Sequence, residues 1–353
     1  MLTVMKSWGQ RYFSDPQAIL LIVLLAGGLL LVMWMGKILA PVFASIVIAY
    51  LLQWVANMLI RWKVPTFAAV LIVYSAFLGL FLGAILILWP IIWDQFLRLF
   101  EEFPSMVVSF QHYLYLLPEK FPQYFTKETI DGWVAGFLVQ LKQSGKLLFS
   151  ISLASLPGVI SLVVYLVFVP LMVFFFLKDH QIILRWIKNF LPSNRQLLAQ
   201  IWKNVHKQIG NYIRGKGAEV IIVGVVTFLA FYWFGMRYAA LLALLVGLSV
   251  LIPYIGAALV TIPVVLVAFF QWGIGDQFIY LLITYGVIQT LDGTLLFSLL
   301  FSGVVNLHPL AIIIAVLVFG GWWGFWGVFF AIPLATVVKA VLEEWPRNYS
   351  RIT

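Results

Sequence analysis

A chain of 353 residues that is 63% hydrophobic and only 10% charged, with a mean hydropathy of +1.05, lies far outside the range of soluble domains. The net charge of +9 therefore bears on membrane topology rather than on nucleic acid, and no nucleic-acid partner is expected. With no cysteine, disulfides, thiolate metal sites and cysteine nucleophiles are excluded; His112, His180, His206 and His308 lack metal-ligand spacing, so no metal or cofactor is expected.

About 20 apolar residues are needed to cross about 30 Å of hydrocarbon. Runs of that kind occupy 18–36, 38–60, 64–92, 150–177, 218–236, 239–270, 277–301 and 309–338. The expected fold is an all-α polytopic membrane protein of about eight transmembrane segments, with broken or re-entrant helices in the C-terminal half. The polar start KSWGQRYFSDPQ and the length of the first run argue against a cleavable signal peptide.

In chain order, residues 1–92 carry the first three segments and 93–149 form an insert. The fourth segment is 150–177, a second insert is 178–217, the C-terminal membrane domain is 218–340, and 341–353 is a tail. The two inserts differ in charge. From 178 to 217 there are eight Lys/Arg against the single acid Asp179, which places this insert in the cytoplasm, whereas 93–149 has five Lys/Arg against six Asp/Glu and belongs outside. Lys6, Arg11, Arg61 and Lys63 then also fall inside, so the N-terminus is expected to be cytoplasmic.

Both inserts carry helical periodicity. In the outer one, Ile130, Trp133, Val134, Phe137, Leu138 and Leu141 recur on one face after breaks at Pro104, Pro118 and Pro122. In the cytoplasmic one, Ser193 and Gln196 form a capping box, and Leu198, Trp202, Val205, Ile209 and Tyr212 form the apolar stripe of a helix whose basic residues meet anionic headgroups. GNYIRGKG at 210–217 approaches a phosphate-binding loop, but Gly217 stands where Ser or Thr would hold magnesium and no strand precedes it. Glu219, beside Arg214 and Lys216, is read as an interfacial salt-bridge partner.

The C-terminal domain holds the unusual chemistry. In IQTLDGTLLFSLLFSGVVNLHPL, residues 288–310, Asp292 stands in an apolar run. A carboxylate at membrane depth costs about 2.5–3.5 kcal/mol on insertion scales, so it must face protein, water or a cation, or carry a proton. The neighbouring glycine lets the backbone leave helical geometry, where Asp292 or Thr294 could cap a following half-helix. Pro253 with Gly256, Asn306 to Pro309, and the glycine-rich run before Pro333 interrupt other segments. GAALVTIP (256–263) and GVFFAIP (327–333) share a faint glycine-to-Ile-Pro pattern of the kind transporters build into paired hairpins.

Gln289, Asp292, Thr294, Asn306 and His308, with Pro253, Tyr254 and Gly256 opposite, are the candidate substrate or coupling-ion site. Asp292 is the group expected to exchange a proton. The plainer alternative makes Asp292 a helix cap and leaves Asn306 and His308 satisfying a loop. No nucleophile and base share one place, so an enzyme is not expected.

FFFLKD (174–179), NYIRGK (211–216), VLIPYIGAALVTIPV (250–264), LDGTLLFSLLFSGVVNLHPL and VFGGWWGFWGVFFAIPLATVVKAV, in this order, resemble the autoinducer-2 exporter family of bacterial permeases, and more narrowly its PerM type. Family members often carry proline where this chain has Ser298. The resemblance implies an inner-membrane homo-oligomer, a pentamer, that exports small organic signals or metabolites, with sodium/proton antiport as an alternative. A structural or regulatory envelope protein acting through the 93–149 insert is the competing class.

Overall fold

The computed structural model describes residues 16–120, 122–123, 126–136, 156–190, 196–253, 255–296, 299–300 and 307–344. Among these residues every regular element is helical, and the protein is an all-α polytopic membrane protein. In chain order the helices are α1 (Pro16–Arg61), α2 (Thr66–Gly83), α3 (Trp89–Lys120), α4 (127–136), α5 (Leu156–Asn189), α6 (Gln196–Trp233), α7 (Ala239–Ser249), α8 (Ile255–Trp272), α9 (Asp276–Leu291), α10 (Pro309–Trp323), α11 (Phe325–Phe329) and α12 (Ala331–Glu344). Two π-helical turns, Ala84–Leu88 and Asp292–Leu296, continue α2 into α3 and extend α9.

Six described helical stretches are long and apolar enough to cross a membrane, and three shorter apolar ones accompany them. The eight apolar runs do not each form one separate helix, for physical reasons. The runs 18–36 and 38–60 lie in one unbroken helix, α1. Its Leu21 packs with Ile201, Val205 and Ala340, while its Tyr50 ring meets His206. A straight helix would hold Leu21 and Tyr50 about 44 Å apart. The helix is therefore bent, and Pro41, which cannot donate to the preceding turn, lies between the two contacts.

The run 239–270 is two helices. α7 has 11 residues, about half the length needed to cross, and it packs against α8 across the turn at 250–253. The run 309–338 is likewise divided, into α10, α11 and α12, at Gly324 (φ 61°) and Phe330. The insert boundaries at 92/93, 177/178 and 217/218 fall inside α3, α5 and α6. Hydropathy changes there, but the backbone hydrogen-bond ladder does not.

Gly256 and Gly327, the first residues of the two repeated segments, have the same task. A Cβ on Gly256 would collide with the Ser249 carbonyl oxygen, and a Cβ on Gly327 with the Phe319 carbonyl oxygen. Each glycine lets a helix start against the end of the preceding one, so two tight hairpins result: α7–α8 and α10–α12.

Packing falls into two main bodies. The later part of α1 with α2 and α5 buries Ala49, Ala56, Val70, Val73, Val169, Val173 and Leu177. The other body joins α6, α7, α8 and α9 through Val223, Phe231, Leu242, Val246, Val264 and Leu281, and joins α6 to α10 and α12 through Tyr212, Ile213, Ile312 and Ile332. α3 braces it: Gln95 Oε1 accepts from the Leu241 N–H at 2.9 Å, and Arg237 pairs with Glu102 at 3.1 Å. In α4, Ile130 and Val134 are buried and Trp133 is exposed; residues 137–141 of the expected stripe lie outside the described residues.

Candidate functional site

α6 packs against both hairpins and carries two of the three buried charged side chains among the described residues, Lys216 and Glu219. Its apolar stripe runs Ile201, Val205, Ile209, Tyr212 and then, at the same three- and four-residue spacing, reaches Lys216, Glu219 and Val223. The stripe expected from sequence included Trp202, which is 59% exposed, while Ile201 beside it is buried. Ser193 of the expected cap lies outside the described residues.

Lys216 and Glu219 are 5% and 3% exposed, and Lys216 Nζ lies 2.7 Å from Glu219 Oε2. The expected pairing of Glu219 is present and is buried in the helix packing. Lys216 Nζ also donates to the Val250 carbonyl at 2.8 Å. Val250 is the residue after α7, where the last carbonyls lack helical partners and carry the negative end of the helix dipole, so an ammonium is the fitting occupant.

Across from this pair, Asp292 is 9% exposed and its Oδ1 has no hydrogen-bond partner among the described residues. It lines the same cavity as Glu219. The expected helix break at Asp292-Gly293 takes another form. The chain widens into a π turn, a device that displaces one side chain from the regular helical path and is frequent at functional sites.

These groups line one cavity of about 170 Å³. Lys216 and Glu219 come from α6; Val250, Ile252, Pro253 and Ala257 from the α7–α8 hairpin; Gln289, Asp292 and Gly293 from the end of α9; Ile312 and Ile332 from the second hairpin. Gln289 is held by a directional chain. Its Nε2 donates to Tyr285 Oη at 2.8 Å, Tyr285 meets Thr261 Oγ1 at 3.0 Å, and Thr261 donates to the Ala257 carbonyl at 2.7 Å.

Of the eight residues singled out in the sequence, the structure thus brings Asp292, Gln289 and Pro253 to the cavity, with Gly256 buried behind it as the hairpin pivot. Thr294 and His308 are not brought there. Thr294 is exposed and its hydroxyl donates to the Thr290 carbonyl at 2.6 Å, satisfied on its own helix. His308 is the N-cap of α10, its Nδ1 accepting from the Leu310 N–H at 3.2 Å just before Pro309. Tyr254 and Asn306 lie outside the described residues. Sequence reasoning missed Lys216, Glu219, Tyr285 and Thr261. Extending the α6 stripe two steps beyond Tyr212 would have found the first two.

Repeated apolar helices, with two hairpins closing on a cavity that holds buried charge, are the architecture of a multi-pass membrane transport protein. The family model described as AI-2E family transporter matches residues 19–347. The chain is 47% identical over 346 residues, 98% of each chain, to a protein of Escherichia coli (strain K12) named as a permease, PerM. It is 27% identical over 313 residues to a Bacillus subtilis (strain 168) protein named as a transport protein, YueF, covering 85% of this chain and 83% of the relative. A second protein of that strain, named as a transport protein, YrrI, is 24% identical over 311 residues, 87% of this chain and 86% of the relative. The protein belongs to the AI-2E transporter family.

Proposed function

We propose that the protein is a secondary transporter of small hydroxylated organic solutes, such as autoinducer-2-like signals or metabolites, driven by a proton or sodium gradient across the bacterial inner membrane. The observation that carries this reading is the cavity between the two hairpins, where Asp292, with an unpartnered buried oxygen, lines the same walls as the Lys216–Glu219 pair and the fixed amide of Gln289. Amide and carboxylate groups suit a polyhydroxylated ligand, and buried ionisable groups in a membrane mark solute or ion paths. The excess of basic residues in 178–217 supports a cytoplasmic position for that insert, with 93–149 outside.

The test is flux in proteoliposomes under an imposed proton or sodium gradient, comparing the native protein with Asp292→Asn across hydroxylated metabolites that include autoinducer-2. Gradient-dependent flux of at least one solute is expected, falling at least tenfold in the variant while elution volume and helix content stay the same. If the native protein moves none of these solutes, or the variant matches it, the carboxylate is architectural and the reading falls.

A further inference from the structure

The charge balance of the cavity identifies the coupling ion, an inference that rests on the transport reading for its meaning. We propose that Glu219 and Asp292 hold one proton between them opposite the Lys216 ammonium, and that Lys216 fills the position an alkali cation would take. The site then couples to protons and not to sodium.

Three observations meet here. First, the ligands a sodium ion would use are already taken: a carboxylate oxygen, Glu219 Oε2, and a carbonyl at the C-terminal end of a half-helix, Val250, both lie within 2.8 Å of Lys216 Nζ. Second, the carboxyls of Glu219 and Asp292 line the same cavity of about 170 Å³, and a carboxylate only accepts. A bond between two carboxyls therefore contains one proton. Third, one ammonium and two carboxyls sum to −1 without that proton and to zero with it. The walls here are Ile252, Ala257, Ile312 and Ile332, and the neutral sum is the one such surroundings favour.

No other charged side chain enters this balance from the described residues lining the cavity. Nearby on α6, the Tyr212 hydroxyl donates to the Phe329 carbonyl and Arg214 donates to Asn211; on α9, Tyr285 is engaged by Thr261 and Gln289. The lining residues of the α7–α8 hairpin, α10 and α12 are uncharged. In the cycle, a proton from water on one side forms an O–H bond on the carboxyl pair and leaves from it to water on the other. Asp292 Oδ1, buried and without a hydrogen-bond partner among the described residues, is the atom for that exchange, and Lys216 keeps its charge throughout.

Infrared difference spectroscopy on the purified full-length protein, titrated with acid and base in light and heavy water, reads this directly. The native protein should show one protonated-carboxyl C=O band that disappears at high pH and does not change when sodium is added at fixed pH. The band should be absent in both Asp292→Asn and Glu219→Gln, because the one remaining carboxylate pairs with Lys216. If one of these near-isosteric variants fails to fold, the other gives the same reading. In Lys216→Met the band should grow and become sensitive to sodium. A band that survives in either carboxyl variant, or a native band removed by sodium at fixed pH, overturns the proposal. No flux is needed for this result, so a proton site without transport and transport without a proton site are told apart.

Discussion

The bundle of α1, α2 and α5 and the body built around α6 use different means to hold helices together. In the first, the buried side chains are Ala, Val and Leu, and the polar exception is Ser45, whose hydroxyl donates to the Pro41 carbonyl at 2.7 Å and lies 3.3 Å from the Val169 carbonyl. In the second, Lys216, Glu219, Thr227, Asp292 and Thr336 are buried, and the ionisable groups among them converge on one cavity. Apolar packing suffices to associate helices in a membrane. Charge that is buried without being required for packing therefore marks where the protein works, and the apolar bundle is the frame against which that part is held.

That contrast can be broken at several points. The largest effect is expected for Lys216→Met, which leaves Glu219 buried without its counter-charge: removing one partner of a buried pair costs about 3–5 kcal/mol. Thermal unfolding of the purified protein should show it as a large fall in midpoint. Adding Glu219→Gln to the same chain should restore most of the loss; if it does not, Lys216 is held by packing and not by charge.

Smaller losses are expected where the hairpins are pinned. Gly256→Ala and Gly327→Ala each force a methyl onto a backbone carbonyl, and overpacking of that kind costs about 1–3 kcal/mol. Gly286→Ala, with nothing within 4 Å of the new atom, should be neutral or stabilising by about 0.4–1 kcal/mol. If all three behave alike, the close approaches do not set the hairpins. The smallest effect belongs to the frame: Ser45→Ala should cost about 0.6 kcal/mol, the usual worth of an interhelical hydrogen bond in a membrane protein, and leave solute flux unchanged.

Much of this was legible in the sequence. Composition defined the membrane class, the proline and glycine interruptions marked both hairpins, and Asp292 stood out because nothing apolar around it could satisfy a carboxylate. Other features depend on contacts far along the chain. Lys216 stands in a run of basic residues, and its burial rests on the Val250 carbonyl, brought back by the α7–α8 turn, as well as on Glu219 one turn along α6. The π turn at Asp292 was read as a break because glycine permits either. His308 looked like a ligand candidate, yet Pro309 after it already spelled an N-cap followed by a helix start.

The central claim is that the cavity between the hairpins is part of a path across the membrane. The native chain has no cysteine, so Ala257→Cys puts a single thiol in the cavity lining. Its reaction with a small, charged, membrane-impermeant thiol reagent can be timed with the reagent added to either face of oriented vesicles. The account predicts reaction from both faces, slowed by a transported solute. A thiol that reacts from neither face would contradict it.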